Sequence, residues 1–396
     1  MSATTTSPRP VDPGVLDALS LLAEVADELV VRTVRDTHIA WTDRVHGIAR
    51  KVTGATGASV GEVLHRGIAG AVYGGLGAGL RAASRGLDAA ASTGVGPRLE
   101  AAPRGRFLSS AVNGLIGDRL ERERPRLAIP MSVRAGGRDV ALDRDALAAA
   151  YPDAGGRVVV LLHGLCENEE FWDLHREEVG TTYVESLAAQ GWTPVLLRAN
   201  TGLSLRENGV ALTALLQRLI EEWPGEVGRV ALVGHSMGGL VMRAAAAVAT
   251  EAEVPWTGLV SDVVSLGAPH LGAPLAAYVG HGSRALARLP EAAAFGRILD
   301  LRSVGVHDLV AGLAEDVPAL PHARYRLVSA TLTTSPRHPV GAFLGDLLVR
   351  ESSAYGRKRG RADLFPGAET LHVPKADHFD LLNHPTVHDA LRRWLA

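Results

Sequence analysis

A single cysteine, Cys166, is all the thiol chemistry this chain has. It can neither close an internal disulfide nor build a thiolate metal cluster, which excludes a disulfide-stapled secreted scaffold. There is no excess of either charge: 41 Lys and Arg face 43 Asp and Glu, leaving -2 over 396 residues. With no global basic field, no nucleic-acid partner is expected. Long apolar runs are missing too. The most membrane-like stretch, Gly67 to Leu80 between Arg66 and Arg81, falls short of the roughly 20 residues a spanning helix needs. The polar, Pro-containing start lacks the basic-then-apolar order of a secretory signal, so a cytoplasmic location is expected. What is present is ordinary globular material, 46% hydrophobic and 21% charged, which argues against wholesale disorder.

The first third differs in texture from the rest. Asp12-Pro13 reads as an N-cap followed by proline at the first helical position. Behind it Leu16, Leu19, Leu22, Val25 and Leu29 recur at the spacing of one helix face, and Ile39, Trp41, Val45, Ile48 and Val52 continue the rhythm. A Gly/Ala-rich stretch, Gly61 to Ala91, follows. Glycine costs about 1 kcal/mol per helix-interior position relative to alanine, a cost that close helix–helix contact can offset. Residues 1–120 are therefore expected to form a helical extension. The stretch 61–91 has three readings: a helical layer packed on the main domain or on another subunit, a peripheral membrane or lipid contact, and a partly disordered linker.

From about Arg126 the pattern changes. Leu127–Val133 and Arg138–Leu142 flank Ala135-Gly136-Gly137 and predict a β-hairpin. Continuous apolar runs at Val158–Leu162, Pro194–Leu197, Val230–Val233, Val263–Leu266, Tyr325–Ala330 and Thr370–Val373 suit strands buried on both faces. Helical patterns at Phe171–Gln190, Ser204–Trp223, Met237–Thr250 and Val387–Leu395 lie between or after them. Strand and helix alternating in this way predict an α/β fold with a mostly parallel sheet flanked by helices over residues 121–396. A helix-rich insertion is expected at about 275–320, carrying Leu275, Tyr278, Leu286, Leu289, Phe295, Ile298, Leu299 and Leu309, which read equally as a lid-like cover or as core.

The chemistry concentrates at Gly234-His235-Ser236-Met237-Gly238-Gly239, where a buried-strand run ends and an Ala-rich helix begins. Gly-x-Ser-x-Gly in that context is a nucleophile elbow, a turn so tight that side chains two positions either side of the serine would collide. The hydroxyl of Ser236 needs a base. Of 15 histidines, His378 sits on the loop after the last predicted strand, where the base belongs; His384 and His388 are the competitors, and His372 lies within the strand. The acid must follow an intermediate strand, which selects Asp346 over Asp316, Asp363 and Asp377. The oxyanion donors are expected to be the backbone N–H groups of Met237 and of Leu165, the latter in the loop Leu162-His163-Gly164-Leu165-Cys166. Cys166 reads as a packing residue.

With these motifs the chain resembles the α/β-hydrolase superfamily, and within it the lipase and esterase branch. Further matches are Ser265-Leu-Gly-Ala-Pro269-His270-Leu-Gly-Ala-Pro274, Gly345-Asp346-Leu347-Leu348-Val349 and Asp377-His378-Phe379. The Pro-His-x-Gly segment is similar to that of bacterial triacylglycerol lipases and of the catalytic domain of inositol-deacylase-type enzymes. The resemblance implies that His163, Gly164, His235, Pro269 and His270 border the substrate. Around the acid the family often has Asp-Gly-x-Val, whereas Leu347 stands here in place of the glycine. The expected activity is hydrolysis of carboxylic esters, of small molecules or lipids, by a Ser236–His378–Asp346 triad through an acyl-enzyme, with no metal or organic cofactor. An acyltransferase on the same triad and a non-catalytic scaffold with a hydrolase fold are the alternatives.

Overall fold

A computed structural model of the protein describes residues 14–25, 60–94, 98–273, 303–313, 317–335, 338 and 345–396. Asp12-Pro13, the segment Ile39–Val52 and, of the insertion, Leu275, Tyr278, Leu286, Leu289, Phe295, Ile298 and Leu299 lie outside the described residues. The chain groups into two compact units, the first ending at Arg106 and taking up Arg124–Leu127 as well.

In the first unit α1 (Val15–Val25) packs against α2 (Val60–Ser92). Among the described side chains of α1, Asp17 and Ser20 are buried, while Leu19 on the expected apolar face is exposed. The Ser20 hydroxyl donates to the Ser84 carbonyl at 2.8 Å, and Arg124 ties the pair to Glu24 and Asp88. The glycine-rich stretch is thus a continuous helix. Among the described residues, a Cβ added at Gly70, Gly74, Gly75, Gly79 or Gly86 would nevertheless meet nothing within 4 Å, so no close contact with a described helix accounts for these glycines. No helix among the described residues is long and apolar enough to cross a membrane.

The second unit begins within α3 (Pro103–Glu123), so Phe107–Leu120, on the N-terminal side of the boundary expected at 120, belongs with the sheet. Small residues make this packing geometrically feasible. A Cβ on Gly114 would come 2.4 Å from Cys166 Sγ, and one on Gly117 would come 1.8 Å from Asn200 Oδ1. Asn113 adds a polar tie by accepting the Ile129 N–H at 2.9 Å.

Eight strands form one sheet: β1 (Ser132–Ala135), β2 (Arg138–Val140), β3 (Arg157–Leu162), β4 (Thr193–Arg198), β5 (Arg229–His235), β6 (Val260–Leu266), β7 (Arg324–Thr331) and β8 (Glu369–Pro374). Their order is β2-β1-β4-β3-β5-β6-β7-β8. β1 is antiparallel to both its neighbours, and β4, β3 and β5 to β8 run parallel. The β1–β2 hairpin closes over Gly136 and Gly137, both with positive φ (56° and 72°), as a two-residue loop that follows the strands' twist requires.

The helices are α4 (Arg144–Ala150), α5 (Arg176–Val179), α6 (Tyr183–Ala189), α7 (Leu205–Glu221), α8 (Met237–Ala246), α9 (Val304–Ala311), α10 (Glu351–Ala354) and α11 (Pro385–Trp394). Alternate residues of β3 enter different cores. Val158, Val160 and Leu162 join Leu212, Leu216 and Leu240, whereas Val159 and Leu161 join Trp172, Tyr183 and Leu391. Burial on both faces explains why the strand sequences run apolar without alternation. The single helix predicted over Phe171–Gln190 is instead a 3₁₀ turn (Glu169–Asp173) followed by α5 and α6. His175 and Gly180 take left-handed conformations, and Thr182 starts a new helix with a capping box to Glu185, so the helical pattern is interrupted twice. Leu309 lies on α9, whose N-cap residue Ser303 donates its hydroxyl to the Gly114 carbonyl at 2.7 Å.

Candidate active site

Ser236 stands between β5 and α8 with φ 51° and ψ -121°, a region that costs a non-glycine residue about 1–3 kcal/mol. The surroundings hold it there: its N–H donates to the Leu266 carbonyl at 2.8 Å and its carbonyl accepts from Gly239 at 3.1 Å. The flanking glycines are sterically required. A Cβ on Gly234 would lie 2.5 Å from the Gly239 nitrogen, and one on Gly238 would lie 2.3 Å from the Leu162 carbonyl oxygen. Gly164 is similarly confined, since its Cβ would come 2.9 Å from Ser236 Cβ. The loop after β3 therefore lies directly against the serine.

His378 follows β8, and its Nδ1 is 2.8 Å from Asp346 Oδ2. Both side chains are buried. The other carboxylate oxygen of Asp346 accepts the N–H groups of Leu348 and Val349 at 3.0 and 2.7 Å, which leaves Oδ2 for the imidazole. Since the carboxylate accepts, Nδ1 carries the hydrogen and Nε2 presents a lone pair; among the described residues Nε2 makes no hydrogen bond. Gly267, at φ 61°, makes room for the ring, because a Cβ there would be 3.0 Å from His378 Cε1. Leu347, which replaces the family's glycine, has φ 82°. The acid turn thus keeps a left-handed geometry on a non-glycine residue.

The N–H groups of the loop after β3 are divided. Gly164 donates to Glu167 Oε2 at 2.7 Å and Cys166 donates to Thr201 Oγ1 at 3.1 Å. Among the described residues the amides of Leu165 and Met237 enter no hydrogen bond. Burial and the neighbouring Glu167 push the Cys166 thiol up to about 11, so it stays protonated.

The five residues expected around the substrate differ in what their side chains do. His163 is buried with both ring nitrogens engaged: Nε2 accepts the Ala199 N–H at 3.2 Å, so Nδ1 donates to the Gly164 carbonyl at 2.8 Å. It ties the end of β3 to the end of β4 instead of presenting a free polar group. Gly164 and His235 adjoin Ser236, whereas Pro269 and His270 are buried after β6. His270 is 1% exposed, packs edge-on against Phe365 with 4.6 Å between centroids, and among the described residues neither nitrogen has a partner. Burial, with a contribution from Arg243, pushes its pKa down to about 3.

The competing residues are occupied elsewhere. His384 caps α11 through Thr386, His388 packs against Tyr183, and His372 lies 2.9 Å from Thr331 Oγ1. Asp377 accepts the N–H groups of Phe379 and Asp380, Asp363 pairs with Arg357, and Asp316 lies outside the described residues.

One buried residue escapes motif reading. Glu167, besides accepting from Gly164, lies 2.9 Å from His235 Nδ1, and His235 Nε2 lies 3.2 Å from the His378 carbonyl. Burial works against both charges, but the Glu167–His235 attraction outweighs it: the carboxyl is held below its ordinary range and the imidazole above its own. Position alone, three residues beyond Gly164, was the available signal.

An aromatic line leads away from His378. Phe379, 40% exposed, is 6.4 Å from Phe171, which in turn is 6.1 Å from Phe107 on α3. Among the described residues no group of three His, Cys, Asp or Glu is arranged to hold a metal ion.

No curated protein matches the sequence. Similar solved structures include the mature lipase BlEst2 of Bacillus licheniformis, at 21% identity over 61% of this chain and 92% of that one, TM-score 0.43. EstA from Clostridium botulinum is 15% identical over 61% and 86% of the two chains, TM-score 0.40. The Pyrococcus furiosus esterase Pf2001 is 17% identical over 61% and 83%, TM-score 0.36. At such identities and scores the likeness says nothing of substrate. The sequence model of the alpha/beta hydrolase family, however, matches residues 159–389, more than half of the chain, and takes in the serine turn, the acid turn and the histidine loop. The chain belongs to the alpha/beta hydrolase family.

Proposed function

We propose that the protein hydrolyses carboxylic esters through a serine nucleophile. The observation that carries this reading is the Asp346–His378 hydrogen bond, with Nε2 of the same imidazole left without a partner among the described residues. In the proposed sequence an ester carbonyl sits over Ser236. His378 Nε2 takes the hydroxyl proton as Oγ attacks, and Asp346 stabilises the resulting imidazolium. The negative charge gathers on the carbonyl oxygen, where the uncommitted Leu165 and Met237 amides and the N-terminus of α8 favour it. Collapse returns the proton to the leaving alcohol and leaves the acyl group on Ser236. Water, deprotonated by the same imidazole, then releases the acid. Exposed Phe379, in line with Phe171 and Phe107, supports an apolar acyl or alcohol group on the substrate.

Hydrolysis of p-nitrophenyl esters from acetate to palmitate, by wild type and Ser236→Ala side by side, tests the proposal. Turnover that disappears in the variant supports it, and the chain-length optimum separates esterase from lipase. Retention of turnover by Ser236→Ala removes the serine mechanism. Folded wild type that neither turns over any ester nor reacts with a fluorophosphonate removes the catalytic reading altogether.

A further inference from the structure

Glu167 and His235 are buried, titratable and absent from the steps above, yet they touch three of the loops those steps use. Gly164, on the loop after β3, donates its N–H to Glu167 Oε2 at 2.7 Å. His235, the last residue of β5 and the neighbour of Ser236, places Nδ1 2.9 Å from that same oxygen. Its other nitrogen, Nε2, reaches 3.2 Å to the main-chain carbonyl of His378, on the loop after β8. The two imidazoles lie 4.8 Å apart between centroids, with their planes tilted by 44°.

The hydrogen positions follow from the partners. A carbonyl only accepts, so His235 Nε2 carries a hydrogen and donates it to His378. One further proton lies between Nδ1 and Glu167. Whether it rests on the imidazole or on the carboxyl, the pair is neutral as a whole. Neutrality matters because of where the carboxylate sits. A Cβ on Gly164 would meet both Glu167 Oε1, at 2.7 Å, and Ser236 Cβ, at 2.9 Å, so the carboxylate and the serine crowd the same point. An unpaired carboxylate in that place would oppose the negative charge of a tetrahedral intermediate formed on Ser236. A missing carboxylate would free the Gly164 amide and the His235 ring together.

We propose that Glu167 and His235 form a proton-sharing positioning pair, which fixes the loop beside Ser236 and the His378 loop at one separation while keeping the carboxylate neutralised. The inference rests on the ester-hydrolysis reading. Both side chains are buried, and both act through Gly164 and His378.

Gln in place of Glu167 keeps the volume but cannot hold both bonds. Its oxygen accepts from Gly164, and a His235 that is neutral without the carboxylate must then either leave Nδ1 facing that oxygen without a hydrogen or give up the Nε2 hydrogen that His378 accepts. Folded Glu167→Gln is expected to lose about 10- to 100-fold in kcat, the range expected when catalytic groups are displaced by a fraction of an ångström to an ångström. KM should stay within about threefold of wild type, since ground-state binding is not involved. The double variant Glu167→Gln/His235→Gln should lose about as much as the worse single variant, because the two act as one unit. A purely structural pair would lower the thermal midpoint while leaving kcat per folded molecule unchanged. Wild-type kcat in folded Glu167→Gln, or additive losses in the double variant, would overturn the proposal. If Glu167→Gln does not fold, His235→Gln, which strands the carboxylate, is read by the same criteria. Ser236→Ala in the same assay distinguishes the two failures. Turnover retained there removes the serine mechanism and this inference with it, whereas turnover lost there and unchanged in Glu167→Gln removes the positioning role alone.

Discussion

Asp346 and His378 are joined twice. The carboxylate accepts from the imidazole Nδ1 at 2.8 Å, and the Asp346 carbonyl accepts the His378 main-chain N–H at 3.1 Å. The main-chain bond sets the distance between the two turns, so the side-chain bond forms without ordering two independent loops. It also makes the carboxylate replaceable without moving the histidine, which separates tautomer from position.

Asp346→Asn is therefore expected to fold normally and to lose kcat by about 10,000-fold, because an amide N–H facing Nδ1 selects the tautomer whose Nε2 cannot take a proton. The p-nitrophenyl ester assay reads this directly. A loss below about tenfold would assign the acid to another carboxylate.

Gly164→Ala places a methyl group 2.9 Å from Ser236 Cβ and 2.7 Å from Glu167 Oε1. Relief requires the loop to withdraw from the serine. The expected result is a kcat lower by about 100-fold with the fold retained, consistent with a shift of about 1 Å in the donor loop. Circular dichroism with kinetics checks it, and unchanged turnover would show that the loop's position is immaterial to the reaction.

His270 sets an acid limit on stability. Its pKa is about 3 in the folded chain against an ordinary 6.5. As pH falls below 6.5 the unfolded chain takes up a proton that the folded chain refuses, so stability declines through the interval from 6.5 down to about 3. At about pH 5 this amounts to about 2 kcal/mol. Denaturant melts of wild type and His270→Leu at neutral and acid pH should show the variant losing about that much less on acidification. Equal acid losses would mean that His270 is protonated in the folded state.

Leu347→Gly removes a left-handed non-glycine residue from the acid turn, where φ is 82°. Relief of about 1–2 kcal/mol of backbone strain is opposed by about 0.5–1 kcal/mol of extra chain freedom in the unfolded state. Stability should hold or rise slightly, and kcat should not change. A loss of more than about 2 kcal/mol in a thermal melt would show that the Leu347 side chain, although exposed, supports the turn.

The strands, the parallel sheet and the serine turn were legible because their signals are contiguous. An apolar run buried on both faces needs no partner to be recognised, and Gly234 to Gly238 encode a steric requirement within five adjacent residues. The break at His175 and Gly180 was not legible, because a residue such as His175 enters the left-handed region only when its surroundings compel it. That Phe107–Glu123 groups with the sheet was not legible for a similar reason. The second half of α3 carries little apolar periodicity and docks through Gly114, Gly117 and Asn113 onto loops that precede or follow distant strands.

The amino-acid sequence by itself determined the order of elements, the strained serine turn and the positions of Asp346 and His378 relative to their strands, since backbone sterics act within a few neighbouring residues. Only the tertiary structure decided how the buried polar groups pair. Glu167 meets His235 across 68 positions, His163 is satisfied by Ala199 just beyond another strand, and His270 finds no partner among the described residues. A hydrogen bond between loops depends on where the sheet brings their ends, and that geometry is a property of the packed whole.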